Sequence, residues 1–262
     1  MVKSNSFATV CHFVLVASVY LFLYVPIIVL LVFSFNSEPF PAPWSKFTWQ
    51  WYGELFTSSS FLWDSFFTSL VVACCATLIS LTAGILLIFY AAQGGRIGKF
   101  LTLFYGNLII PETVLAVSLL GFFTFAAIPL GLTTLILAHT LLGLGFVIPL
   151  VYARFKELDY RLTEASLVLG ATPIQTFFKV TLPLLRPVLV AASLLVFVIS
   201  FDDFILSYFC SGSSSQTLSL YILSMLRSEI SPVVNALSAL LLILSSGLVW
   251  IFFTLKTRTK IF

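Results

Sequence analysis

Charge is what this chain has least of. Its 262 residues include 13 Lys+Arg and 10 Asp+Glu, 9% in all. A soluble chain of this length carries roughly 65 charges. With 60% hydrophobic residues and a mean hydropathy of +1.11, that scarcity excludes a soluble globular enzyme and a disordered chain. The net charge of +3 is too small to point to a nucleic-acid binder. The four cysteines include the adjacent pair Cys74 and Cys75 but no C-x-x-C pair, so neither a disulfide framework nor a metal site is indicated. The phosphate-binding loop G-x-x-x-x-G-K-[ST] is missing too. Its nearest imitation, Gly94-Gly-Arg-Ile-Gly-Lys99, is one residue short and is followed by Phe100. With no H-E-x-x-H, no nucleophile elbow and only two histidines, no catalytic or cofactor-binding residue is expected on this chain.

What is present is a series of long apolar runs. Ser4–Ser37, Ser65–Gly95 and Ile230–Leu255 carry no charge; Phe100–Ala153 carries only Glu112, and Pro187–Leu226 only Asp202 and Asp203. A membrane-crossing helix needs about 20 apolar residues. The runs hold six of them, at 11–35, 66–91, 101–127, 132–153, 188–209 and 234–255, the third and fourth divided at Pro129-Leu130-Gly131. They lack the alternation of a transmembrane barrel. The first run is longer than a signal-peptide core and is expected to be retained. The predicted fold is all-α and integral to the membrane.

Basic residues orient it. With six crossings both termini share a side. Lys3, Arg96, Lys99, Arg154, Lys156, Arg161, Lys179, Arg186, Lys256, Arg258 and Lys260 lie there, against Lys46 and Arg227 opposite. The termini are therefore expected in the cytoplasm. Residues 1–64 read as a first helix and an external loop, 65–255 as the transmembrane domain, and 256–262 as a basic cytoplasmic tail. The external loop, with Trp44, Trp49, Trp51, Trp63 and Pro39, Pro41 and Pro43, suits the membrane interface. His139 falls within the fourth span, where it is expected to hydrogen-bond between helices.

The stretch from Arg154 to Pro187 is the longest cytoplasmic loop. Thr163 is expected to cap a short helix with Glu164 in its first turn, and Gly170 to end it in the left-handed conformation. Thr172 then caps a second helix with Pro173 at its first position. Pro183 and Pro187 are expected to break the chain before the fifth span. Leu167 and Leu169 are apolar on a wet surface and need a cover.

Glu164-Ala165-Ser166, three residues, Gly170, nine residues and Val180-Thr181-Leu182-Pro183 resemble the "EAA" loop of ABC importer permeases, E-A-A-x3-G-x9-I-x-L-P. Ser166 replaces the second Ala and Val180 the Ile. Tyr24–Ser37, Pro111–Ser118, Phe201–Phe204 and Ser231–Ser238 extend the likeness to the second permease subunit of spermidine/putrescine importers. Similar importers carry ferric ion or sulfate. The resemblance implies a type I importer permease fold and four partners: the lipid bilayer, a second homologous permease subunit, a cytoplasmic ATPase dimer holding ATP-Mg, and an external substrate-binding protein. It also implies that Glu164, Ala165, Ser166, Leu167, Gly170, Leu182 and Pro183 form the ATPase-coupling loop.

Three acids stand inside the spans. An Asp at the centre of a spanning helix opposes insertion by roughly 2.5–3.5 kcal/mol, so Glu112, Asp202 and Asp203 are expected to face a cavity, a cation or a partner. Arg186 to Asp202 is about 24 Å of helix and Lys99 to Glu112 about 20 Å, which puts all three toward the outer half. On a continuous helix Asp203 shares a face with Ser193, Ser200, Ser207 and Ser211, and Asp202 with Leu195, Ile199, Leu206 and Phe209. Asp203 is therefore expected to face the pathway and Asp202 to pair elsewhere. Phe201, Phe204 and Tyr208 can add cation–π contacts to an ammonium. An ion-coupled carrier acting alone is the competing expectation; it calls for an internal repeat, and none is visible.

Overall fold

The computed structural model describes residues 6–38, 43–57, 60–228 and 232–258. Pro39, Pro41, Lys3, Lys260 and the end of the basic tail lie outside them. The described residues are almost wholly helical and divide into two units, Met1–Ser60 with Ile222–Phe262, and Phe61–Tyr221.

In the first unit, α1 (Ser6–Phe33) exposes apolar side chains on every face from Phe13 to Val32. A helix apolar all round belongs in lipid. It packs against α12 (Pro232–Arg258), which also packs on α2 (Gln50–Thr57). The loop after α1 is tied by Asn36, which is fully buried. Its Nδ2 donates to the carbonyls of Glu38 and Pro43, and its Oδ1 accepts the Ser45 N–H. Its own carbonyl accepts Trp51 Nε1–H at 2.6 Å. Phe35 stacks on Phe47 and Tyr52 and meets Trp49 edge-on. The tryptophan-rich loop is thus a small folded knot with aromatic faces outward.

The second unit begins with α3 (Ser60–Ala92), a long span without proline. The third expected span is not one rod. It consists of α4 (Gly98–Ile109) and α5 (Glu112–Phe125), bent by 112°. Pro111 is the cause. Ile110 before it is extended (φ −67°, ψ 127°), as a residue preceding proline prefers, and α5 starts directly after the ring. The 20 Å depth for Glu112 assumed a straight helix and does not survive this bend. Beyond the Pro129–Gly131 turn, α6 (Leu132–Glu157) is the central helix, packed by α4, α5, α9 and α10.

The fifth span differs at both ends. After α7 (Tyr160–Val168) and α8 (Pro173–Thr176), Phe177–Thr181 forms a π-helical turn that runs directly into α9 (Leu182–Asp202). The helical stretch Pro173–Asp202 is 30 residues long, so Pro183 and Pro187 do not interrupt it. Pro183 lies in the first turn of α9, where a missing N–H is tolerated, and the Leu182 N–H reaches back to the Phe177 carbonyl. At the other end, α9 stops at Asp202, and α10 (Ile205–Cys210) begins after a two-residue break. A short helix, α11 (Leu218–Ser228), follows.

Among the described residues four helices are long and apolar enough to cross a membrane, and the bent α4–α5 pair makes five. α12 covers the sixth expected segment.

Polar residues are layered between two hydrophobic clusters. One cluster contains Val72, Leu135, Ala138 and Leu206; the other contains Ile88, Val147, Ala192 and Val196. Between them along α3, α6 and α9 fall Ser80, His139, Thr140 and Ser200, all buried. Gly143 of α6 permits this closeness: a Cβ there would lie 2.5 Å from Ser80 Oγ and 2.8 Å from Val196 Cγ1. Small residues let spanning helices approach to hydrogen-bonding range, and Ser80 Oγ donates to the Thr140 carbonyl at 3.1 Å.

Candidate functional site: the coupling loop and the intramembrane acids

The loop is built by local rules. α7 is capped by Asp159, whose Oδ1 accepts the Arg161 N–H at 3.0 Å. The expected cap, Thr163, lies inside the helix instead. Both residue types cap well, and the helix takes the earlier candidate. Glu164 and Ala165 are exposed on α7, and Ser166 is half-buried. The end of α7 matches expectation. Gly170 has φ +87°, its N–H bonds the Leu167 carbonyl, and the Ala171 N–H bonds the Ser166 carbonyl. That is a Schellman turn. Thr172 and Gln175 then cap α8 reciprocally, with Pro173 in its first turn.

Ser166 Oγ also hydrogen-bonds Thr176 Oγ1 at 2.9 Å, tying α7 to α8 in a way an alanine cannot. Below the elbow, Phe177 is buried against Phe89 of α3, ring centroids 4.9 Å apart. A cavity of about 350 Å³ lies there, lined by Phe89, Gln93, Thr163, Leu167, Thr176 and Phe177. The tip of α7 points outward: Val168 is 86% and Leu169 88% exposed. Leu182 and Pro183 are half-buried where the loop enters α9.

Gly170→Val is expected to destabilise the elbow. A left-handed backbone strains an L-residue by about 1–2 kcal/mol, and relieving that strain re-aims α8 relative to α7. Unchanged protease susceptibility of the loop in Gly170→Val would show that the turn angle is immaterial.

The acids stand at the two broken spans. Glu112, half-buried, opens α5 just past the Pro111 bend, where a helix N-terminus favours negative charge. It lines a cavity of about 180 Å³ with Asn107, Ile110, Leu142, Phe146 and Ile199. Asp203 occupies the α9–α10 break, extended at φ −63°, ψ 130°, and is buried. Its carboxylate accepts the N–H of Ser207 at 3.0 Å and of Leu206 at 3.4 Å. Its carbonyl, freed by the break, accepts Ser219 Oγ–H at 2.6 Å. Glu112 lies close enough to interact with Asp203. Asp202, one residue earlier, is exposed.

The helical-face argument that separated the two aspartates therefore fails on its premise, a continuous helix. A short carboxylate in an apolar layer draws the nearest free N–H groups and ends the helix there. The aromatics flank the break. Phe201 packs between Phe66 and Phe197, and Phe204, 36% exposed, leans on the exposed Tyr208 at 5.7 Å. His139 meets Asp203 with Nε2 to Oδ2 at 3.5 Å, a contact that spacing alone did not name. The available signal was a lone histidine in an apolar helix. Among the described residues the ion pairs are this one, should the ring be protonated, and Arg154–Glu157. Neither supplies a Lys or Arg to Glu112 or Asp202.

Residues 84–260 match the family described as the binding-protein-dependent transport system inner membrane component. The chain belongs to this family. It is a multi-pass inner-membrane permease. It is 35% identical over 234 residues to the spermidine/putrescine transport system permease protein PotC of Haemophilus influenzae, covering 88% of this chain and 90% of that protein. With PotC of Escherichia coli K12 it shares 38% over 232 residues, 87% of each chain. With the putrescine transport system permease protein PotI of the same organism it shares 32% over 230 residues, 84% of this chain and 82% of that one. Its fold resembles a chain from a bacterial ABC transporter that imports the acidic polysaccharide alginate. That match has a TM-score of 0.68 and 14% identity and covers 99% of both chains. An inward-facing MetNI methionine ABC transporter gives a TM-score of 0.55 at 22% identity over 75% of this permease and 93% of that chain.

Proposed function

We propose that this permease is one of two membrane subunits of an ATP-driven importer for polyamines, with six crossings and both termini in the cytoplasm. ATP-Mg binds and is hydrolysed on a cytoplasmic ATPase dimer, and an external receptor delivers the amine. The substrate assignment rests above all on the relatives named for spermidine and putrescine, which are 32–38% identical over most of the chain. The acids support it. Like charges near one another repel, so Glu112 and Asp203, close enough to interact, favour a cation beside them. A protonated amine is such a cation. Asp202 and Glu112 meet it first; Asp203 adds its field from behind, and Phe204 and Tyr208 offer ring faces.

The loop Glu164–Pro183 is the coupling element. α7 follows α6 in the chain, is capped by Asp159 and is joined through a fixed turn to α8 and α9. A rod held at both ends moves as a lever. Its apolar tip, Val168 and Leu169, is exposed and suits a socket on the ATPase.

The test is substrate competition in proteoliposomes holding the complete importer. Saturable uptake of radiolabelled spermidine or putrescine, undiminished by excess sulfate or ferric ion, is expected. Uptake of sulfate or iron without amine would overturn the substrate assignment.

A further inference from the structure

His139 is fully buried in the first third of α6, and its ring reaches both sides of the α9–α10 break. Nδ1 is 2.8 Å from Ser200 Oγ in the last turns of α9. Nε2 is 3.5 Å from Asp203 Oδ2 in the break and 3.5 Å from Ser207 Oγ in α10. A neutral imidazole has one N–H and one acceptor nitrogen. A carboxylate only accepts, so the tautomer that suits an ionised Asp203 turns Nε2–H toward its Oδ2 and toward Ser207 Oγ, each 3.5 Å away, while Nδ1 accepts from the Ser200 hydroxyl.

A helix interior holds its own direction through its backbone ladder. A two-residue break does not, and side chains must fix its torsions. Asp203 does this from within by taking the N–H groups of Leu206 and Ser207. His139 does it from another span, and it fixes the same carboxylate. The residues on either side of Asp203, Asp202 and Phe204, are the exposed ones. Their directions follow the backbone torsions at Asp203.

We propose that His139 is a positioning residue: it clamps both sides of the α9–α10 break and, through the Asp203 carboxylate, sets how Asp202 and Phe204 meet the cation in the pathway. It does not touch the substrate. The role rests on the polyamine reading above and adds to it the residue that tunes apparent affinity.

Two amide substitutions separate the two ring nitrogens. His139→Asn keeps a polar atom near the Nδ1 position and withdraws from Asp203. His139→Gln carries an amide N–H toward the Nε2 position and keeps the Asp203 contact. Both are measured in the complete importer in proteoliposomes, as spermidine uptake against concentration, normalised to assembled complex. His139→Asn is expected to raise KM about threefold to tenfold, the worth of one interhelical hydrogen bond, with the maximal rate per complex nearly kept. His139→Gln is expected to restore KM to within about twofold of wild type.

Equal KM values in the two variants would overturn the role. So would loss of complex alone at unchanged KM, or failure of either variant to assemble, since each marks a packing residue. Wild type that takes up no amine would overturn the polyamine reading and this role with it. Normal wild-type uptake with indistinguishable variants would overturn the His139 role alone.

Discussion

Glu164→Lys is expected to reduce both spermidine uptake and substrate-stimulated ATPase activity of the complete importer by about tenfold, because it reverses the charge on the face that the proposed coupling offers to the ATPase. Glu164 is exposed on α7, the rod that precedes the Gly170 turn. The side chain takes no part in the cap at Asp159 or in the Ser166–Thr176 contact, so the fold has no need of it. Reversing its charge changes the face offered to the ATPase and leaves the permease itself intact. Assembly of the two membrane subunits should be preserved in detergent extracts while the ATPase dissociates or turns over without transport. Unaltered uptake together with unaltered ATPase activity would remove α7 from the coupling route.

Asp203 gives the second large effect, and two substitutions divide it. Asp203→Leu strands the N–H groups of Leu206 and Ser207 in an apolar layer. Each orphaned donor costs about 1–3 kcal/mol, so little assembled complex is expected to co-purify with the ATPase. Asp203→Asn retains one acceptor oxygen, so the break and the complex should persist. It removes the negative charge, so amine uptake per complex should fall severalfold. Quantifying the complex by subunit stoichiometry and uptake by radiolabel separates the two outcomes. A Leu variant that assembles and transports like wild type would deny Asp203 both roles.

Much of this arrangement is legible in the sequence because it depends on local chemistry. The absence of charge marks the long helices, since lipid tolerates little else. Gly170, Thr172 and Pro173 specify a helix end and the next helix start within four residues, and each stands as expected. Thr163 misled because Asp159, four residues earlier, is an equally good cap, and composition cannot rank the two. The continuity through Pro183 depends on a π-turn packed under Phe89, which is a tertiary contact. The 112° bend at Pro111 was visible only as a distortion; its size is set by what surrounds it. The break at Asp203 was invisible to helical periodicity, which assumes an unbroken rod. It arises because a buried carboxylate and two backbone N–H groups satisfy one another there, with a histidine from another helix beside them.

The most direct measurement follows radiolabelled spermidine into proteoliposomes holding either this chain alone or the complete importer, each with and without ATP on the face that carries the ATPase. Uphill accumulation is expected only from the complete importer supplied with receptor and ATP, with none from the isolated chain in any imposed ion gradient. Accumulation by the isolated chain, or by the complete importer without ATP, would contradict a passage driven from outside itself.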